Sequence, residues 1–120
     1  MRPILPVLSL VLTAGTASAD VTVSLPLGIG AMDSVTSQTY ACSDGRGFDV
    51  QYVNAGKNAL AVMDIDGEYR VFVNVVAGSG AKYVSGADVW WTKGDTATVE
   101  NTLDDSGLLE CQAQNTAPSE

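Results

Sequence analysis

Apolar and polar residues alternate in short runs along most of this chain. Segments 39–42, 48–53, 60–64, 69–77, 88–91, 96–100 and 108–112 are rich in Val, Tyr, Phe, Trp and Thr. Turn signals separate them, including Ser43-Asp44-Gly45, Asp66-Gly67, Gly78-Ser79-Gly80 and Lys93-Gly94-Asp95. Such runs, punctuated in this way, read as strands and hairpins. The connections are too short for helical crossovers, so neighbours should pair antiparallel. No segment sustains a 3.6-residue apolar period over three turns. The fold class is all-β. A domain this small cannot leave many sheet edges open without inviting aggregation, which favours closure into a small antiparallel barrel.

Period-two patterning assigns faces. Tyr69, Val71, Val73 and Val75 share one side of their strand, predicted to be the core side, with Arg70 and Asn74 opposite. Ala97 and Val99 should also point inward, and Trp90, Trp91 and Tyr52 supply bulk to fill the interior. Residues 20–38 are small and polar, and read as an arm or as one extra edge strand at 21–25. The domain proper then runs over 39–114, and 115–120 reads as a disordered tail.

The first residues change what the mature protein is. Met1 and Arg2 precede an apolar stretch over 4–12, and Ala17-Ser18-Ala19 gives the small-x-small pattern of a signal peptide, 1–19, cleaved between Ala19 and Asp20. The apolar stretch is too short to span a bilayer, which takes about 20 residues. No cysteine stands near the cleavage point, so no membrane anchor of the bacterial lipoprotein kind is expected. The expected location is periplasmic or secreted. Cleavage leaves five Lys/Arg against fourteen Asp/Glu, a formal net charge of −9. So acidic a chain is a poor ligand for nucleic acid or an anionic membrane and suits a basic partner. It contains no histidine, which removes Ser-His and Cys-His catalysis and His-ligated zinc. In an exported chain, Cys42 and Cys111 point to a disulfide. Closing a loop of about 70 residues is worth roughly 4 kcal/mol in the chain-entropy account.

Few residues invite chemistry. Asp64-Ile65-Asp66-Gly67-Glu68 resembles the start of a calcium loop but lacks its third ligand and distant Glu, so Asp66-Gly67 reads as a type I′ turn. A glycosidase-like carboxylate pair would need one member in an apolar pocket, and no such context is visible. No enzyme activity and no cofactor are therefore expected. The loop Ala77-Gly78-Ser79-Gly80-Ala81 is narrow, with one hydroxyl and glycines that permit close approach to another surface. Tyr83 could fold back to fix it. Trp90-Trp91-Thr92-Lys93-Gly94 places two aromatics before a turn that presents one cation. Taken alone, the first segment reads as an ordinary hairpin turn, and the second as core tryptophan followed by a solvated lysine.

Taken together, Ser79-Gly80-Ala81-Lys82-Tyr83, then Trp90-Trp91-Thr92-Lys93-Gly94-Asp95, and the closing Cys111 resemble the MliC/PliC family of bacterial inhibitors of c-type lysozyme. Tyr40-x-Cys42 and Phe48-x-Val50-x-Tyr52 add to the likeness, which covers about residues 39–114. The resemblance implies an eight-stranded barrel that plugs a lysozyme cleft, with Ser79 and Lys93 entering it. Gly80, Tyr83 and Thr92 fall on supporting positions. The absent lipobox cysteine resembles the soluble periplasmic branch. Seven strands are visible, so 21–25 or a split of 69–77 should supply the eighth. Asp88 departs from the aromatic or apolar residue expected there. The net −9 should steer the chain toward a basic lysozyme, an effect that salt weakens. The alternative from another class is a lipocalin-like carrier of a small ligand, for which the barrel interior would have to be open.

Overall fold

Among the described residues, eight strands form in chain order: β1 (Ser34–Cys42), β2 (Gly47–Ala55), β3 (Asn58–Ile65), β4 (Glu68–Val75), β5 (Ala81–Ser85), β6 (Asp88–Lys93), β7 (Thr96–Asn101) and β8 (Leu109–Ala113). Each pairs antiparallel with its sequence neighbours, and β8 returns to β1 to close the barrel. This computed structural model describes residues 2–4, 6, 14–15, 22–28, 30 and 32–114. The expected cleavage point after Ala19 and the tail 115–120 lie outside the described residues.

The eighth strand comes from neither expected source. Residues 22–25 form no strand, Val21 lying outside the described residues, and 69–77 is not split. It is β5, which the sequence presents as the end of a glycine-rich loop. Only Tyr83 of β5 is fully buried, so the strand carries little apolar signal. β1 also begins earlier than the pattern indicates, at Ser34. Its first residues pair along β2 from Ser34 opposite Asn54, but no residue before Tyr40 is buried.

The faces of β4 are the reverse of the expectation. Phe72 is fully buried, whereas Tyr69, Val71, Val73 and Val75 face outward at 66%, 47%, 52% and 39% exposure. A small barrel gives each strand room for few inward side chains, and its polar ones can sit at the two openings. Arg70 does so at one end, where it pairs with Asp88 and donates to the Ser85 carbonyl oxygen at 2.7 Å. Asn74 does so at the other, donating to the Lys82 carbonyl oxygen at 3.1 Å. The polar residue at position 88 thereby has a place, because Asn101 also donates to its carboxylate at 2.8 Å.

Trp90, Phe72, Met63 and Val50 fill the interior, with Ala97 buried and Val99 packed against them as the alternation requires. Trp90 meets Tyr40 and Phe48 edge-on, at centroid distances of 4.9 and 5.8 Å. Its indole donates to the Tyr52 hydroxyl at 2.9 Å, and that hydroxyl shares a 2.7 Å hydrogen bond with Tyr40. The buried polar atoms thus satisfy one another. Trp91, adjacent in sequence, lies outside the barrel and does not fill it. Between β3 and β4, Asp66 and Gly67 both have positive φ, 54° and 83°, as a type I′ turn demands. Asp64 accepts the Gly67 N–H at 2.8 Å, which occupies that carboxylate with the turn itself.

Cys42 and Cys111 face each other in the β1–β8 register and are disulfide-bonded. Replacing both with Ser should lower unfolding free energy by roughly 4 kcal/mol in a denaturant titration, and a loss below about 1 kcal/mol would contradict the closing role. The tyrosines give a pH signature. Burial raises the phenols of Tyr40, Tyr52 and Tyr83 above their ordinary value. The unfolded chain ionises first, so their stabilisation is complete below about pH 10 and falls as pH climbs above it. Denaturation midpoints measured across that range should drop, less steeply in Tyr83→Phe; identical curves would contradict the burial account.

Candidate functional site

The hairpin connections of an up-and-down barrel lie alternately at its two ends. The β4–β5 loop (76–80) and the β6–β7 turn (94–95) therefore share one end, and β5 and β6 run side by side between them. Register pairs Ala81 with Thr92, Lys82 with Trp91 and Tyr83 with Trp90. The two motifs, which begin eleven residues apart in sequence, become neighbours in space.

Close contacts fasten the two segments. Gly80 has φ 66°, and a Cβ there would run into the Thr92 carbonyl oxygen and come within 2.8 Å of the Lys93 Cγ. Only glycine allows the serine loop to lie this near the lysine strand. The Thr92 hydroxyl donates to the Ala81 carbonyl oxygen at 3.3 Å. Ser79 is exposed at the loop tip, and its own carbonyl oxygen accepts the Trp91 indole N–H at 2.9 Å. Lys93 is exposed at the end of β6, with its ammonium 4.4 Å from the Trp91 ring centroid. Thr96 donates to the Lys93 carbonyl oxygen at 2.9 Å, which steadies the turn.

Tyr83 is placed differently from the expectation of a ring folded over the loop. It enters the barrel and packs against Tyr52 at 5.6 Å, so it anchors β5 from within. Trp91, expected to fill the interior, instead joins the two loops, and Lys82 is the contributor that sequence reasoning missed. The Lys82 ammonium also lies over the Trp91 ring, at 5.0 Å. A register argument pairing 82 with 91 could have found it, had β5 been identified as a strand.

Charge sorts by barrel end. The end with the serine loop carries Lys57, Lys82 and Lys93 against Asp33 and Asp95. Asp33 is bound to its surroundings, accepting the Gly56 N–H at 2.9 Å, and this together with the Gly30 N–H lowers its carboxyl below the usual range. The opposite end bears Asp44, Asp66, Asp88, Asp104 and Asp105 in or beside its turns, with only Arg46 and Arg70 to offset them. The cluster of five aspartates is thus remote from the two loops, which present cations and hydroxyls with one carboxylate, Asp95, in the β6–β7 turn.

Residues 40–106 match the sequence family described as membrane-bound lysozyme-inhibitor of c-type lysozyme, MliC. The chain belongs to the MliC family. The matched stretch is more than half of the chain and contains both loops. The membrane-bound lysozyme inhibitor of C-type lysozyme from Pseudomonas aeruginosa is 52% identical over 64 residues, which are 52% of this chain and 50% of that protein. Its namesake from Cupriavidus necator is 36% identical over 85 residues, 71% of this chain and 62% of that protein. The chain therefore spans between half and two thirds of these curated MliC relatives. Among solved structures, Pseudomonas aeruginosa MliC in complex with hen egg white lysozyme superposes with a TM-score of 0.65 at 39% identity. The superposition covers 83% of this chain and all of that one.

The close approach at Gly80 can be tested within this MliC domain. Gly80→Ala should cost about 1–3 kcal/mol in urea unfolding, since it combines strained φ with a backbone clash. Gly78→Ala, where the added Cβ meets nothing within 4 Å, should cost much less. Equal losses would contradict the packing of the serine loop on β6.

Proposed function

We propose that this MliC-family barrel inhibits c-type lysozyme by inserting the Ser79 and Lys93 loops into the enzyme's active-site cleft. The observation that carries the reading is the pairing of β5 with β6, which brings Ser79 and Lys93 to one end on neighbouring exposed turns. The lysozyme complex formed by the Pseudomonas aeruginosa relative supports the same class of partner.

The chemistry follows from what such a cleft contains. A c-type lysozyme works with a protonated glutamic acid in an apolar pocket and an ionised aspartate nearby, the general case of carboxylates with divided roles. The Ser79 hydroxyl can donate to one carboxyl and accept from the other, and its slim loop enters without bulk. The Lys93 ammonium supplies a charge-assisted bond to the ionised carboxylate once water is excluded. Gly80 and Thr92 keep the two loops together, and Tyr83 holds β5 from inside. The reaction is blocked by occupancy, so the chain itself needs no catalytic group or cofactor and is not an enzyme in this reading.

The charge distribution refines how the partners meet. Net negative charge attracts a basic lysozyme, but a cluster of five aspartates sits at the far end of the barrel, so the charge raises encounter frequency more than it orients the loops. Within the 120 residues both cysteines are spent on the disulfide. The signal-peptide pattern of residues 1–19 adds to the proposal a soluble periplasmic or secreted form, released by cleavage after Ala19, alongside the family's membrane-bound members. The carrier alternative is disfavoured by an interior already occupied by Trp90, Phe72, Met63 and Val50.

Lysozyme inhibition by single variants tests the mechanism. Lys93→Ala should raise the inhibition constant by about thirtyfold or more, the equivalent of losing one partner of a desolvated ion pair at about 2 kcal/mol or above. Combining it with Ser79→Ala should abolish inhibition, with the unfolding midpoint preserved. Full inhibition by the folded double variant would refute the two-loop mechanism.

A further inference from the structure

Trp91 occupies the outer face of β6 between the two loops. Its indole N–H donates to the Ser79 backbone carbonyl oxygen at 2.9 Å, which ties down the tip of the serine loop. Its ring lies 4.4 Å from the Lys93 ammonium and 5.0 Å from that of Lys82. One side chain thus contacts the elements carrying both inserting groups. Nothing in the barrel core requires it there, because Trp90 on the opposite face fills the interior.

We propose that Trp91 is a positioning residue that holds the serine and lysine loops in one preformed plug, an inference that rests on the inhibitor reading above. The hydrogen bond is made to backbone, so it fixes where the Ser79 hydroxyl is presented whatever that side chain does. The ring face draws the Lys93 ammonium in over the barrel and limits the volume that its four-carbon stem explores. Lys82 contacts the same ring, so β5 as well as β6 is fastened to Trp91. Binding then costs less ordering than it would from two independent loops.

The test uses the disulfide-bonded protein carrying Trp91→Phe, which keeps an aromatic face but loses the donor, and Trp91→Ala, which loses both. Inhibition of hen egg white lysozyme is measured together with amide hydrogen exchange of the free inhibitor. Trp91→Phe should weaken inhibition about five- to tenfold, as expected for one hydrogen bond. Trp91→Ala should weaken it further. Exchange should quicken across residues 78–81 while the other strands and the unfolding midpoint stay as in the wild type. Unchanged inhibition and unchanged loop exchange in both variants would overturn the proposal. So would uniformly faster exchange with a lowered midpoint, which would mark Trp91 as a general stability residue. A wild-type protein that does not inhibit would refute the inhibitor reading, and the exchange measurement would still decide whether Trp91 fastens the loops.

Discussion

Closure of the sheet between β1 and β8 is the constraint on which the other features depend. These two strands share three register pairs, Tyr40 with Ala113, Ala41 with Gln112 and Cys42 with Cys111, and the last is covalent. With the seam held, an open meander becomes a cylinder without free edges. The order of the turns around each end is then fixed, and the serine and lysine loops must emerge side by side. A disulfide at the ends of the meander therefore controls a site nearly forty residues along the chain from Cys42.

Inside the cylinder, size dictates the composition of the core. Trp90 occupies the centre, meets Tyr40 and Phe48 edge-on, and passes its polar N–H to the Tyr52 hydroxyl. The short chain of hydroxyls from Tyr52 to Tyr40 lets large aromatics be buried without stranding a donor. Polar groups too long for the interior are moved to the openings, as Arg70 with Asp88 shows. The result is a stiff scaffold, which suits the proposed presentation of two short loops in a set geometry.

Much of this was legible in the sequence because hairpin chemistry is local. Asp66-Gly67 specifies its turn by backbone conformation alone, and the alternating runs mark seven strands. β5 escaped notice because its one core residue, Tyr83, is flanked by Lys82 and Val84 and preceded by a glycine loop. The face of β4 was misread because valines outnumber the single Phe72, and counting apolar residues cannot anticipate how few a narrow barrel admits. The resemblance to a family gives Ser79 and Lys93 their roles, whereas Trp91, in the same motif, reads as a core residue. Adjacent tryptophans on a strand point to opposite faces, and only the register of β6 against β5 and β7 decides that 90 goes in and 91 stays out.

In the proposed mechanism, the end of the barrel bearing Ser79 and Lys93 occupies a lysozyme cleft. Its most direct measurement is the clearing of a bacterial cell-wall suspension by hen egg white lysozyme, titrated with the purified, disulfide-bonded protein. Activity should fall in proportion to added protein and vanish near one equivalent. Undiminished clearing at a large molar excess would contradict the claim and leave a stable barrel whose partner is something else.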